Sequence, residues 1–230
     1  EIGSGLVGSE MCKETESGVR ELERDINKII RKVITEHIKS SRKIVSVRIK
    51  ENDIPHYLEQ ELYKESKYKE IIHPGVVTAV ACSSIGGVSI YIECTSFKGT
   101  GKYTFTGSLG SITKESIEIA LSYIKSNAKR FDIDEDFFLN NDFHINFTEG
   151  AINKDGPSAG ISIVTAILSH IKGVIISDKI SLTGEITLNG DILKIGGLKE
   201  KTIACKRQNI ERLFIPKDNL NDIELSLIHI

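Results

Sequence analysis

Lys154-Asp155-Gly156-Pro157-Ser158-Ala159-Gly160 is the stretch of this chain whose residue types and spacing best suit chemistry. It leads from a strand-like run into a helix starting at Pro157, a favoured first helical position, so Ser158 falls in the first turn. Free N–H groups and the positive end of a helix dipole gather there and stabilise negative charge developing on a nearby oxygen. A serine nucleophile suits such a place. An ordinary cap and turn suits it too, because Asp, Gly, Pro and Ser are the common residues of such junctions. The pattern is not the G-x-S-x-G elbow of α/β-hydrolases.

A serine nucleophile needs a base. His37, His56, His73, His170 and His229 fall in helical, linker or terminal positions, and only His144 is near Ser158 in sequence. The other kind of base is a lysine made neutral by burial and nearby positive potential. Lys201 fits that description near the start of a helix opened by Gly196-Gly197, with Leu198, Ala204 and Cys205 at helical spacing around it. Lys199 points about 200° away, towards Ile203 and Lys206. Periodicity favours Lys201 only weakly, so both lysines stay open on this ground. There is no G-x-x-x-x-G-K-[ST] phosphate loop: Gly99-Thr100-Gly101-Lys102 lacks the first glycine and runs into Tyr103. No metal-ligand spacing is present, so no metal is expected. Lys28 to Lys43 is partly basic but punctuated by acids, which reads as a solvated helix face.

The elements that must position these residues follow from periodicity. Val19, Leu22, Ile26, Ile29, Ile30, Val33, Ile34 and Ile38 predict one long amphipathic helix from Gly18 to Ile38 with one buried stripe, capped by Ser17. A strand at Ile44 to Ile49 and a short helix around Ile54 to Leu62 follow. These are too little to enclose a core, so residues 1–62 read as the tail of a domain whose beginning is missing. Residues 63–72 read as a linker. From His73 the character turns to β: Val76 to Cys82 and Val88 to Cys94, with Gly86-Gly87 as their turn, and Lys102 to Thr106 extending the sheet. A helix carries Ile117, Ala120, Leu121, Ile124, Ala128 and Phe131, and the strand Phe143 to Phe147 enters the Ser158 loop. Strands at Ile180 to Thr183, Ile186 to Leu188, Ile192 to Ile195 and Leu213 to Pro216, with the helix from Gly197 to about Gln208, complete an α+β domain over 73–230.

Composition bounds the function. The 230 residues, 40% hydrophobic and 27% charged, are those of a globular chain, and a net charge of −2 provides no global field for nucleic acid or anionic membrane. Four scattered cysteines make neither a disulfide framework nor a zinc site. No apolar run approaches the roughly 20 residues that cross a bilayer, and the start does not pattern as a signal peptide.

Five stretches, in order, resemble the ATP-dependent Lon protease family: His73-Pro74-Gly75-Val76-Val77-Thr78, Thr106-Gly107-Ser108-Leu109-Gly110, Glu149 through Gly160, Thr183-Gly184-Glu185-Ile186-Thr187-Leu188, and Ile195-Gly196-Gly197-Leu198-Lys199-Glu200-Lys201. Upstream, Glu16 to Arg24 resembles the last helical part of the family's AAA+ module, with Arg20 at its nucleotide-facing sensor-2 position. The resemblance implies Ser158 as catalytic serine and Lys201, not Lys199, as its base, with Thr183, Asp155 and Glu185 near the dyad. It implies a Lon-type proteolytic domain preceded by an AAA+ remnant, hydrolysing peptide bonds of misfolded or damaged proteins within a hexameric ring. No cofactor is expected in this part. ATP and Mg²⁺, and any binding of DNA, belong to the full-length protein. Asn146 stands where the family often has histidine, and Ile152-Asn153 where it often has Thr-Pro. Lys201 to Arg207 looks most like mitochondrial members, which points to the matrix, with a bacterial cytoplasm as the alternative. A rival reading is a Lon-like scaffold without proteolysis, which would have no chemical reason to keep both Ser158 and Lys201.

Overall fold

In a computed structural model the chain divides into two compact units, Glu1–Glu65 and Ser66–Ile230. The structure describes residues 17–39, 46–58, 71–83, 86–134, 136–150 and 152–227.

In the first unit, helix α1 (Ser17–Lys39) covers the predicted period, and the single-turn helix α2 (Ile54–Leu58) follows. Lys28 Nζ donates to the Leu58 carbonyl at 3.2 Å, and His56 Nε2 lies 2.9 Å from Glu36 Oε1, which ties the two helices. The expected buried stripe is not found. Leu22, Ile26, Ile30, Ile34 and Ile38 are 43% to 72% exposed, and Val33 alone is buried among the described residues of this helix. A five-residue helix is too short to cover a 23-residue one. The expected strand at 44–49 is also absent over its described part, 46–49, since no neighbouring strand pairs with it. The Ser17 side chain, residues 44–45 and 59–62, and the linker up to residue 70 lie outside the described residues.

The second unit is a mixed sheet with helices on both faces. Its elements are β1 (Val76–Ser83), β2 (Gly86–Lys98), β3 (Tyr103–Thr106), α3 (Ser111–Ser126), α4 (Phe137–Asn140), β4 (Asn141–Phe147), α5 (Gly160–Lys172), β5 (Ile180–Leu182), β6 (Glu185–Ile186), β7 (Ile192–Leu193), α6 (Leu198–Arg207), β8 (Arg212–Phe214) and α7 (Leu220–Leu227). Six strands run in the order β3-β4-β2-β1-β5-β8, and β6 and β7 form a separate antiparallel pair. β2 is antiparallel to β1 and β4, whereas β3–β4, β1–β5 and β5–β8 are parallel. Strand alternation sends Val77 and Ala79 into the main core and Val80 to the opposite face, against Ala204 and Cys205 of α6. The main core joins Ile92, Phe143, Ile145 and Phe147 to Ile117 and Ile124 of α3 and Ile163 and Ile167 of α5, all at most 1% exposed. Each contributes about 1.5–3 kcal/mol of apolar burial.

Several boundaries differ from expectation: β2 runs on to Lys98, β6 and β7 stop at Ile186 and Leu193, α4 and α7 are not among the expected elements, and two further differences bear on packing. Ser83 pairs with Gly86, so Gly86 and Gly87 are strand residues and the reversal lies at residues 84–85, outside the described ones. Gly87 has a packing reason instead: a Cβ there would collide with the Glu200 carbonyl, so the bare backbone is what lets α6 lie on the hairpin. The helix predicted to reach Phe131 ends at Ser126, where Asn127 Nδ2 donates to the Tyr123 carbonyl at 2.9 Å; Ala128 and Phe131 pack from the turns that follow.

Candidate active site

Ser158 sits half-buried in a 3₁₀ turn, Pro157–Ala159, that runs directly into α5. This is the strand-to-helix junction expected, with the first turn tightened. The turn is latched onto the end of β5. The Ser158 carbonyl accepts from Gly184 N at 2.8 Å and from Thr183 Oγ1 at 3.1 Å, and Ile161 N donates to the Gly184 carbonyl at 3.1 Å. Thr183 Oγ1 in turn accepts from Lys201 Nζ at 3.1 Å. Thr183 is 1% and Lys201 2% exposed. A hydroxyl has one hydrogen and two lone pairs, so Thr183 can give to Ser158 and take from Lys201 at once. Three residues from three different elements therefore meet through one side chain.

Lys201 projects inward from α6 because Leu198, Lys201, Ala204 and Cys205 form its buried face, while Lys199 is exposed. Glu185 opens β6 opposite Leu193, one residue beyond Gly184, with a half-buried side chain. Asp155 has a different place: its Oδ1 accepts from Ile112 N at 2.9 Å and approaches Thr113 N at 3.4 Å, capping the start of α3. Gly110 allows this, since a Cβ there would collide with the Asp155 carboxyl. Thr113 Oγ1 accepts from Gly156 N at 3.1 Å and donates to the Lys154 carbonyl at 3.1 Å. The Ser158 loop is thus bound to α3 on one side and to the end of β5 on the other. Arg20 lies in α1, and its side chain is outside the described residues.

Among the described residues, His37, His144 and His170 are tied to other parts of the fold. His144, on β4, has Nε2 3.0 Å from Thr106 Oγ1, whose hydroxyl donates to Asn146 Oδ1 at 2.7 Å; Asn146 Nδ2 donates to Glu93 Oε2 at 2.8 Å. His170 Nε2 lies 2.9 Å from Ser96 Oγ, and burial pulls its imidazole below the ordinary range. His37 Nδ1 is 3.0 Å from the Val33 carbonyl within α1, His73 is exposed, and His229 lies outside the described residues. The amides of the Gly99-Thr100-Gly101-Lys102 turn are already used: Thr100 N and Lys102 N donate to Asp142 Oδ1 at 2.7 and 2.8 Å. Those bonds hold the Asp142 carboxyl below its usual value.

Two residues were missed in the sequence. Thr113 looks like an unremarkable early residue of a helix. Lys154 is 7% exposed, and its Nζ donates to the carbonyls of Gly107, Glu149 and Ile152. The available signal was a lysine placed between a loop and a nucleophile turn, with an acid beside it.

Comparison with known proteins bears on the whole of this unit. Residues 48–226 match the Lon protease (S16) C-terminal proteolytic domain, and residues 15–45 match the Lon protease AAA+ ATPase lid domain. Relatives named Lon protease include that of Clostridium acetobutylicum, 41% identical over 90% of this chain and 26% of that protein. That of Vibrio parahaemolyticus is 41% identical over 96% of this chain and 28% of that protein, and that of Malacoplasma penetrans 44% over 89% and 26%. The chain spans about a quarter of the length of these relatives. They are bacterial, which gives no support to the mitochondrial compartment expected from Lys201 to Arg207. No described helix is long and apolar enough to cross a membrane. With the proteolytic-domain match covering most of its length, the chain belongs to the Lon protease family and carries the family's C-terminal proteolytic domain.

Proposed function

We propose that this chain is the peptide-cleaving part of an ATP-driven protease, with Ser158 as nucleophile and Lys201 as general base. The observation that carries the reading is the buried chain from Lys201 Nζ through Thr183 Oγ1 to the Ser158 carbonyl, which ties the two ends of the dyad to one threonine. Burial penalises the charged form of an amine, the direction a lysine base needs. Neutral Lys201 takes the hydroxyl proton of Ser158, and Oγ attacks the substrate carbonyl carbon. As the C–N bond breaks, the lysine ammonium returns that proton to the leaving amine, and an ester to Ser158 remains. Water then attacks the ester, losing one proton to Lys201, which passes it to Oγ as the new carboxylic acid departs and gives its remaining proton to solvent.

The turn nearest in type to a phosphate loop has the amides of Thr100 and Lys102 engaged by Asp142, so no nucleotide role is assigned to it. No step above runs through ATP or Mg²⁺. We assign the nucleotide, a homohexameric ring, and delivery of unfolded or damaged proteins to the full-length protein, with Arg20 facing the nucleotide there. The lid match at residues 15–45 supports that assignment. The bacterial relatives support a bacterial cytoplasm rather than a mitochondrial matrix as the compartment.

The test is cleavage of an unstructured protein or a fluorogenic peptide by wild type, Ser158→Ala and Lys201→Ala. Each variant is expected to lose at least about 10³-fold in kcat. Cleavage by both at the wild-type rate overturns the dyad. With a neutral-lysine base, kcat/KM also rises with pH; an optimum below pH about 6 contradicts it.

A further inference from the structure

We propose that Lys154 is a positioning residue for the Ser158 loop, acting as an ammonium ion that ties this loop to the turn at Gly107 through three backbone carbonyls. This rests on Ser158 being the nucleophile.

The three acceptors come from two separated segments. Gly107 O, at 2.9 Å from Nζ, belongs to the turn after β3, whereas Glu149 O at 2.6 Å and Ile152 O at 2.8 Å belong to the loop after β4. The backbone of Lys154 closes the same join: its N donates to the Ser108 carbonyl at 3.0 Å, and its carbonyl accepts from Gly110 N at 2.8 Å. An ammonium has three N–H donors and no lone pair, which matches three converging carbonyls. A neutral amine has two donors and would turn its lone pair on the third oxygen. Burial is the larger influence and lowers the Lys154 ammonium from its ordinary range, and the Glu149 carboxylate partly offsets it.

Backbone strain marks the same spot independently. Four described non-glycine residues have positive φ, and two of them, Ser108 at 59° and Glu149 at 60°, are those whose carbonyls Lys154 holds through N and Nζ. Such conformations persist where the surroundings over-determine them, and they gather at functional sites. Asp155, next in sequence, is fixed on α3. Lys154 therefore sets where the chain sets out towards Ser158, and a displacement of about 1 Å at a nucleophile costs about 10²-fold in rate.

The test compares the wild-type chain with Lys154→Met and Lys154→Ala, using peptide cleavage, the rate of Ser158 labelling by a fluorophosphonate, and near-ultraviolet circular dichroism. Lys154→Met is expected to keep the wild-type spectrum and KM within about twofold, and to lose about 10²-fold in both kcat and labelling rate. Lys154→Ala is expected to regain about tenfold in kcat with propylammonium and nothing with propanol at equal concentration. Lys154→Met at wild-type kcat overturns the proposal, and so does equal rescue by amine and alcohol. If neither variant folds, Lys154 is a folding requirement and the proposal also falls. Failure of the nucleophile reading shows elsewhere, as wild-type protein that does not label at Ser158, and it removes this proposal with it.

Discussion

Thr183 Oγ1 stands between a buried amine and the backbone of the serine turn, so its loss removes one hydrogen bond from each, while the Ser158 carbonyl keeps its bond from Gly184 N. Thr183→Val is close in shape and removes only that hydroxyl. It is expected to lower stability by about 1–3 kcal/mol and kcat by about 10- to 100-fold, while Thr183→Ser stays within about threefold of wild type. A Val variant as active as wild type, measured on the same peptide, would show that the bridge is idle. The buried thiols allow a second check. Burial pushes Cys94 from 9.0 up to about 12 and Cys205 up to about 11. The folded thiols keep their protons to higher pH than the unfolded ones, so their contribution to stability is intact below pH about 9 and is lost as pH rises through the folded values. At pH 8.5 both are expected to react with iodoacetamide at least about 100-fold more slowly in the folded protein than in urea, read by mass spectrometry. At this scale the sequence was informative where a side chain obeys a period. Lys201 could be favoured over Lys199 because three small or apolar neighbours share its helix face. Lys154 left no such trace, since a lysine satisfied by carbonyls of its own loop has no periodic partner.

Helix α6 carries Lys201, and its height above the sheet is set by the bare backbone at Gly87. Gly87→Ala is expected to push α6 outward, at about 3 kcal/mol of stability, and to reduce kcat more than it changes KM. An Ala variant with wild-type melting and wild-type kcat would show that α6 relaxes without moving its lysine. Asp155 makes a separable case, because its carboxylate serves the first turn of α3. Asp155→Ala is expected to cost about 1 kcal/mol by denaturant titration and Asp155→Asn less. Most strands and helices of the second unit were legible because hydrophobic alternation and helical spacing both end in real burial there, whereas the short helices α4 and α7 were not among the expected elements. The stripe on α1 was equally periodic and yet lies exposed, since period identifies an apolar face and says nothing of what covers it. The Gly86-Gly87 pair misled for a related reason: glycine marks a turn and a close approach alike, and only the position of α6 tells them apart.

Each unit has its own contacts, and the second has a complete core of strands and two layers of helices. Residues 66–230 alone are therefore expected to unfold in one cooperative transition, with a melting temperature within about 5 °C of that unit in the whole chain. Two transitions, or none, in a calorimeter would contradict this. The division near residue 65 had a visible basis in the sequence, where a helical character gives way to a β character, but the proteolytic-domain match starts earlier, at residue 48. The parallel pairing of β5 with β1 and β8 has a consequence for order in time. Ser181 Oγ donates to the Thr78 carbonyl across 103 positions, and β8 joins only after β5. A ribosome delivers Ser158 before Thr183, and Thr183 before Lys201. Under the proposed dyad, a growing chain holds its nucleophile without its base, so the order of synthesis itself keeps an unfinished protease from cutting its own nascent neighbours.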